Sequence, residues 1–228
     1  MKNIIVLFSL LVSTSLFAQE LFWYDVQLEV ASGSNNAVKQ LVVDYYSSID
    51  IPENVSASFS AIPLRGENFR GTHILSFVSP SSQALADFRS SLSGPKWEAY
   101  LAKMQDHVIS NRALAGNGLV VVNPTVQDPI GQVWLFKMRD KNANAFVSSF
   151  GELMQTFNFE GFAVAGQVTH GNSNSENMFI YASYKDLNAA LSFGPKTDKE
   201  QAAFGQFFEN VDFAEFTQSF TRVLIKQF

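Results

Sequence analysis

The chain has 228 residues, of which 46% are hydrophobic and 14% aromatic, with 22 Phe, no Cys and a formal net charge of −5. That apolar content excludes a disordered chain, and the lack of Cys excludes disulfides and a lipid-modified N-terminal cysteine. Mild acidity without any Lys/Arg cluster argues against a nucleic-acid partner, because a phosphate backbone demands basic patches.

In chain order, residues 1–18 come first and read as a secretory signal. Lys2 supplies the positive start, Ile4 to Val12 is apolar apart from Ser9, and Ala18 stands at the cleavage position before Gln19. The apolar run is too short for a comfortable membrane anchor. The expected protein is therefore exported, periplasmic or extracellular, and free of the membrane after cleavage.

Phe22, Tyr24, Val26, Leu28 and Val30 alternate with Trp23, Asp25, Gln27 and Glu29, the period of a strand with one apolar face. Ser32-Gly33-Ser34-Asn35 breaks the chain, and Val38, Leu41, Val42, Tyr45 and Ile49 follow at helical spacing, with Pro52 as the stop. Ser58 to Leu64 and Thr72 to Ser79 read as two more strands around the turn at Arg65-Gly66. Ser81 or Ser82 caps a helix bearing Leu85, Phe88 and Leu92. Gly94-Pro95 restarts it with Trp97, Tyr100, Leu101, Met104 and Val108. Gly116-Asn117-Gly118 reads as a turn, and Leu119 to Val122 as a short fourth strand.

The same order then recurs. Val133 to Arg139 is a strand, and Asn142 or Asn144 caps a helix with Phe146, Phe150, Leu153, Met154 and Phe157. Strands over Phe162–Thr169 and Asn177–Ser183 follow, then a helix capped by Asp186 and interrupted at Gly194-Pro195. Phe204, Phe207, Phe208 and Val211 continue the stripe, and Arg222 to Ile225 closes as a strand. Gly94-Pro95-Lys96 matches Gly194-Pro195-Lys196 in sequence and in place. The expected division is a signal peptide over 1–18, a first unit over 19–124, a linker over 125–131 and a second unit over 132–228.

A β-α-β-β-α-β order gives a four-stranded antiparallel sheet with both helices on one face and the other face bare. Two such units can cover each other. The expected fold class is α+β, two tandem ferredoxin-like units packed sheet to sheet as an intrachain α/β barrel. In element order, in the two copies and in the interrupted second helix, the chain resembles the dimeric α/β-barrel superfamily. That group includes antibiotic-biosynthesis-type and haem-degrading monooxygenases. The resemblance implies a barrel around a central cavity, formed here by a monomer acting as its own pseudo-dimer. Haem-degrading members use an Asn, a Trp and a His. Trp97 and His107 match by residue type, while the first strand offers Asp25 and Gln27 where an Asn is needed.

Strand parity puts Tyr24, Val26 and Leu28 under the helices and turns Trp23, Asp25 and Gln27 the other way. By the same parity Lys137 and Arg139 share the inner face of the second unit's first strand, where they would pair with Asp25 or Glu29. His73 and Tyr181 complete the expected ligand-binding set of Trp23, Asp25, Gln27, His73, Lys137, Arg139 and Tyr181. The three histidines lack metal-ligand spacing, so no metal and no cofactor is expected. No nucleophile elbow, phosphate-binding loop or zinc-protease motif occurs. The expected function is binding of a small apolar or aromatic molecule in the cavity between the units. The alternatives are a cofactor-independent monooxygenase or isomerase using His73 and Asp25, and a structural or interaction protein.

Overall fold

The computed structural model describes residues 20–172 and 175–228; the expected signal peptide lies outside them. Among the described residues eight strands form one closed antiparallel barrel and six α-helices pack outside it, so the fold is α+β. The chain runs β1 (Leu21–Val30), α1 (Asn35–Tyr46), β2 (Ser56–Arg65), β3 (His73–Ser79), α2 (Ser82–Ser91), α3 (Gly94–Gln105) and β4 (Val108–Val122). It continues with β5 (Ile130–Lys137), α4 (Ala143–Thr156), β6 (Ala163–His170), β7 (Met178–Tyr184), α5 (Leu187–Leu191), α6 (Asp198–Asn210) and β8 (Glu215–Gln227).

Around the barrel the order is β1-β3-β2-β8-β5-β7-β6-β4. The strands of the first half thus lie as β4-β1-β3-β2, and those of the second as β8-β5-β7-β6. The halves meet along two seams, β2 with β8 and β4 with β6. Edge groups that an open sheet would leave bare are thereby paired.

Period-two alternation decides which side chains enter the barrel. On β1, Tyr24, Val26 and Leu28 pack outward with Val38, Val42 and Tyr46 of α1 and Phe77 of β3. On β5, Trp134 and Phe136 pack outward against Phe146, Phe150 and Phe207. Phe59, Phe77 and Phe146 are fully buried, and each such side chain contributes about 1.5–3 kcal/mol relative to an exposed one. On β2 the same alternation holds. Ala57 and Phe59 face the helices, while Ser58 and Ser60 line a groove at one barrel mouth.

Helix starts follow local chemistry. The Ser81 hydroxyl accepts from Ala84 N at 3.2 Å, and the Asp186 carboxylate accepts from Ala189 N at 2.7 Å. Thr197 and Glu200 form a reciprocal capping box that starts α6 after Gly194-Pro195, whereas Pro95 lies in the first turn of α3. α1 ends at Tyr46, ahead of Ile49 and Pro52, and α3 ends at Gln105, so Val108 opens a strand.

Two strands are much longer than the sequence pattern predicts. β4 spans 15 residues in place of Leu119–Val122, and β8 spans 13 in place of Arg222–Ile225. Each is a seam strand held on both sides, β4 by β1 and β6, and β8 by β5 and β2. Gly116-Asn117-Gly118 is therefore strand, not turn. A Cβ at Gly116 would stand 1.9 Å from the carbonyl oxygen of Gln167, so only glycine lets β6 come this close.

Candidate functional site

Two cavities bear on function, one inside the barrel and one between the first half's sheet and its helices. The interior cavity, about 100 Å³, is walled by apolar side chains, among them Trp23, Leu135, Val164 and Phe179. Trp23 meets Phe179 edge-on, with centroids 5.2 Å apart. The Trp23 indole nitrogen is buried without a hydrogen-bond partner.

One corner of this cavity is polar. Asp25 on β1 and Ser76 on β3 are Cα partners, and the Ser76 hydroxyl bonds the Asp25 carboxylate. Arg222 on β8 donates from Nη1 to Ser76 Oγ at 2.8 Å, and its guanidinium lies 4.4 Å from the centroid of the Tyr181 ring on β7. Ser76 therefore stands between an acid from one half and a base from the other. Burial pushes the Asp25 carboxyl above the usual carboxylate range, with Arg222 and then Ser76 opposing. Burial works against the charge on Arg222, and it is offset by the nearby Asp25 carboxyl and by the Tyr181 hydroxyl, which accepts from the guanidinium. Gly131 lies across from Arg222 on β5, and a Cβ there would come within 2.5 Å of Tyr181.

Of the seven residues singled out from sequence, Trp23, Asp25, Gln27 and Tyr181 line this cavity together. The other three lie elsewhere. His73 faces the helices, stacked on Phe59 at 5.4 Å with its Nδ1 3.0 Å from Thr72 Oγ1, because it shares strand parity with Leu75 and Phe77. Lys137 is exposed at the end of β5 and pairs with Glu215 at 3.3 Å. Arg139 is exposed beyond the strand, where parity no longer sets direction. The expected partners for Asp25 are thus replaced by Arg222, and Glu29 accepts instead from Ser110 Oγ at 2.7 Å. In the sequence pattern Arg222 is only the start of a closing strand.

The second pocket, about 370 Å³, lies between β1, β3 and β4 and the helices α2 and α3. Its walls include Tyr24, Tyr46, Trp97 and Tyr100, with exposed Gln105 and Asn111 at the rim. Arg89 of α2 enters it, its guanidinium 4.5 Å from the Tyr24 centroid and 5.3 Å from that of Phe77. Arg89 also hydrogen-bonds the Tyr46 hydroxyl. Burial raises the Tyr46 and Tyr100 hydroxyls well above ordinary phenol values, so both stay neutral at physiological pH. The equivalent space in the second half, about 200 Å³, is walled by Trp134, Phe136, Phe193, Phe204 and other apolar groups, with no charged side chain.

Solved structures share this architecture. One is a monooxygenase by provisional assignment from Fusobacterium nucleatum, with TM-score 0.63, 14% identity, and coverage of 93% of this chain and 95% of that one. A second, from Lactobacillus acidophilus and assigned in the same way, has TM-score 0.61, 12% identity and coverage of 91% and 95%. An anthrone oxidase-like protein has TM-score 0.60, 11% identity and coverage of 92% and 93%. The likeness is one of fold. At these identities it establishes the α/β barrel and leaves chemistry to the residues. No family model matches the chain, and no curated protein matches it in sequence.

Among the described residues, no three His, Asp or Glu gather as metal ligands, and no helix is long and apolar enough to cross a membrane.

Proposed function

We propose that the protein binds a planar aromatic molecule bearing a phenol, enol or carbonyl oxygen in the pocket between the first half's sheet and α2–α3. The observation that carries this reading is the Arg89 guanidinium, 4.5 Å from the Tyr24 centroid in the wall of a 370 Å³ aromatic pocket. Stacking occupies one face of the guanidinium and Tyr46 takes one N–H, leaving further donors for a ligand oxygen. Trp97 and Tyr100 offer ring surface beside it. The volume falls in the ordinary range for ligand pockets, whereas the interior cavity suits only a much smaller guest. A titration with anthrone, followed by tryptophan fluorescence, tests the reading. Saturable quenching is expected, weakened roughly tenfold or more in R89Q, the loss of one charge-assisted bond. Absence of any response to anthrone or 1-naphthol up to their solubility limits overturns it.

A second reading, cofactor-independent oxygenation of that ligand, is favoured by the same arginine and by the names of the structural neighbours. A cation beside an enolate oxygen stabilises the carbanion that reduces dioxygen. One oxygen atom enters the ring carbon as a carbonyl in place of its two hydrogens, the other leaves as water, and the substrate supplies the electrons. Oxygen uptake matched one to one with quinone formation from anthrone is the expected result; binding without uptake leaves a carrier.

We further propose that the halves are two copies of one ferredoxin-like unit, on the shared strand order and the repeated Gly-Pro-Lys. Export rests on the pattern of residues 1–18, and N-terminal sequencing of the secreted protein should begin at Gln19. Closure of the barrel within one chain supports a monomer, which light scattering tests.

A further inference from the structure

The interior polar corner is unused by the proposed function and is a built site in its own right. An acid and a guanidinium, contributed by different halves, share one serine in an otherwise apolar chamber. Buried charges are costly, and an all-apolar filling would commonly serve stability as well or better. The chamber also adjoins an outer groove. A groove of about 470 Å³ at one barrel mouth is lined by Ser58 and Ser60 of β2 and by Asp128 of the segment joining β4 to β5. It shares Ser76, Tyr181 and Arg222 with the chamber, so Arg222 stands at the throat between them.

We propose that the barrel interior binds a short-chain monocarboxylic acid, about the size of butyrate, with its head at Arg222 and Asp25 and its chain among Leu135, Val164 and Phe179. Ser76 and the Tyr181 hydroxyl each take a guanidinium N–H and the Tyr181 ring covers one face, which leaves further donors of the five for a ligand carboxylate. Asp25 sets a second condition. A ligand carboxylate beside an ionised Asp25 would be repelled, so one proton must be held between the two groups. The acid therefore enters as a carboxylate plus one proton from solution, whichever oxygen carries that proton. The other ionisable groups near this corner are Tyr181 on β7 and, at the mouth, Asp128 and Glu53. Arg112 of β4 is engaged elsewhere, with buried Glu176.

Calorimetry with butyrate on the full-length mature protein tests this, run in two buffers of different protonation enthalpy. The expected result is saturable binding with uptake of up to one proton. Affinity should rise as the pH falls through the range in which this proton is taken up, by at most about tenfold per pH unit. D25N should bind butyrate without proton uptake and with little pH dependence, and R222Q should lose binding. Butyramide, which lacks the anionic head, should bind the wild type more weakly. Should R222Q fail to fold, the wild-type proton count and D25N still decide. No butyrate binding, proton-independent binding, or unchanged binding in a folded R222Q each overturns the proposal. R89Q should leave butyrate binding intact, so this site and the aromatic pocket stand or fall separately.

Discussion

Trp23 and Gly116 are partners across the β1–β4 pair, and the indole occupies space that any side chain at position 116 would need. A Cβ there would stand 2.7 Å from the indole ring as well as 1.9 Å from the Gln167 carbonyl oxygen. The glycine thus serves two ends at once. It closes the seam with β6 and lets Trp23 turn inward to meet Phe179, forming a wall of the interior cavity.

Replacing Gly116 with Ala should cost about 3 kcal/mol, because a backbone oxygen cannot swing away as a side-chain tip can. Gly205 in α6 offers the contrast. Nothing lies within 4 Å of its would-be Cβ, so G205A should gain about 0.5–1 kcal/mol from helix propensity. Urea unfolding of the two variants reads both signs. A G116A protein as stable as the wild type would contradict the tight seam.

The raised Asp25 carboxyl makes stability depend on pH in a definite direction. The folded state favours its protonated form, so its contribution is present in full below the ordinary carboxylate pKa and is lost as pH rises through the raised value. Asn imitates the neutral form at every pH. The difference in Tm between D25N and the wild type should therefore move in the variant's favour from about pH 4 to about pH 8. A gap that is constant, or that moves the other way, would mean that Arg222 governs the carboxyl more than burial does.

His73 works in the opposite sense. Burial, and secondarily the positive charge of Arg65, lowers its pKa, so the fold favours the neutral imidazole. That contribution is present above the ordinary histidine pKa and is lost as pH falls through it toward the lowered value. H73F keeps a ring against Phe59 without a titrating group. Urea midpoints at about pH 7.5 and about pH 5 should fall less for H73F than for the wild type.

At the start of α6, Thr197 accepts from Glu200 N at 3.2 Å, while the Glu200 carboxylate accepts from Thr197 N at 3.0 Å. T197A should destabilise the protein by about 1 kcal/mol, with loss of amide protection in the first turn of α6 ahead of the barrel strands in hydrogen exchange.

Much of the fold was legible because period two and period 3.6 are local signals. Tyr24, Val26 and Leu28 do pack under helices, and Trp23, Asp25 and Gln27 do turn the other way. What local pattern cannot supply is the identity of the surroundings. Ser58 and Ser60 look like a solvent face, yet they line a groove at the barrel mouth. β4 was hidden because Ser110, Asn111, Arg112, Gly116 and Gly118 break the apolar alternation, and a seam strand draws its order from neighbours far away in sequence. Arg222 was invisible as a partner of Asp25 for the same reason, since closure alone brings β8 near β1. Arg139 shows the opposite failure, parity extrapolated past the point where the strand ends, while Lys137 is the exposed last residue of β5 and pairs with Glu215. Trp97 and Tyr100 lie on a core stripe as their spacing predicts, but a core side chain can wall a pocket too.

The barrel is closed by one chain, and that permits a lopsided interior. β5 holds in its half the place that β1 holds in the other, yet it turns Val133 and Leu135 inward where β1 turns Trp23 and Asp25. A barrel assembled from two identical subunits would have to install every inner residue in duplicate, including any acid and any guanidinium. Linking the halves frees each inner position to be chosen once, so a single acid can face a single base across the bore.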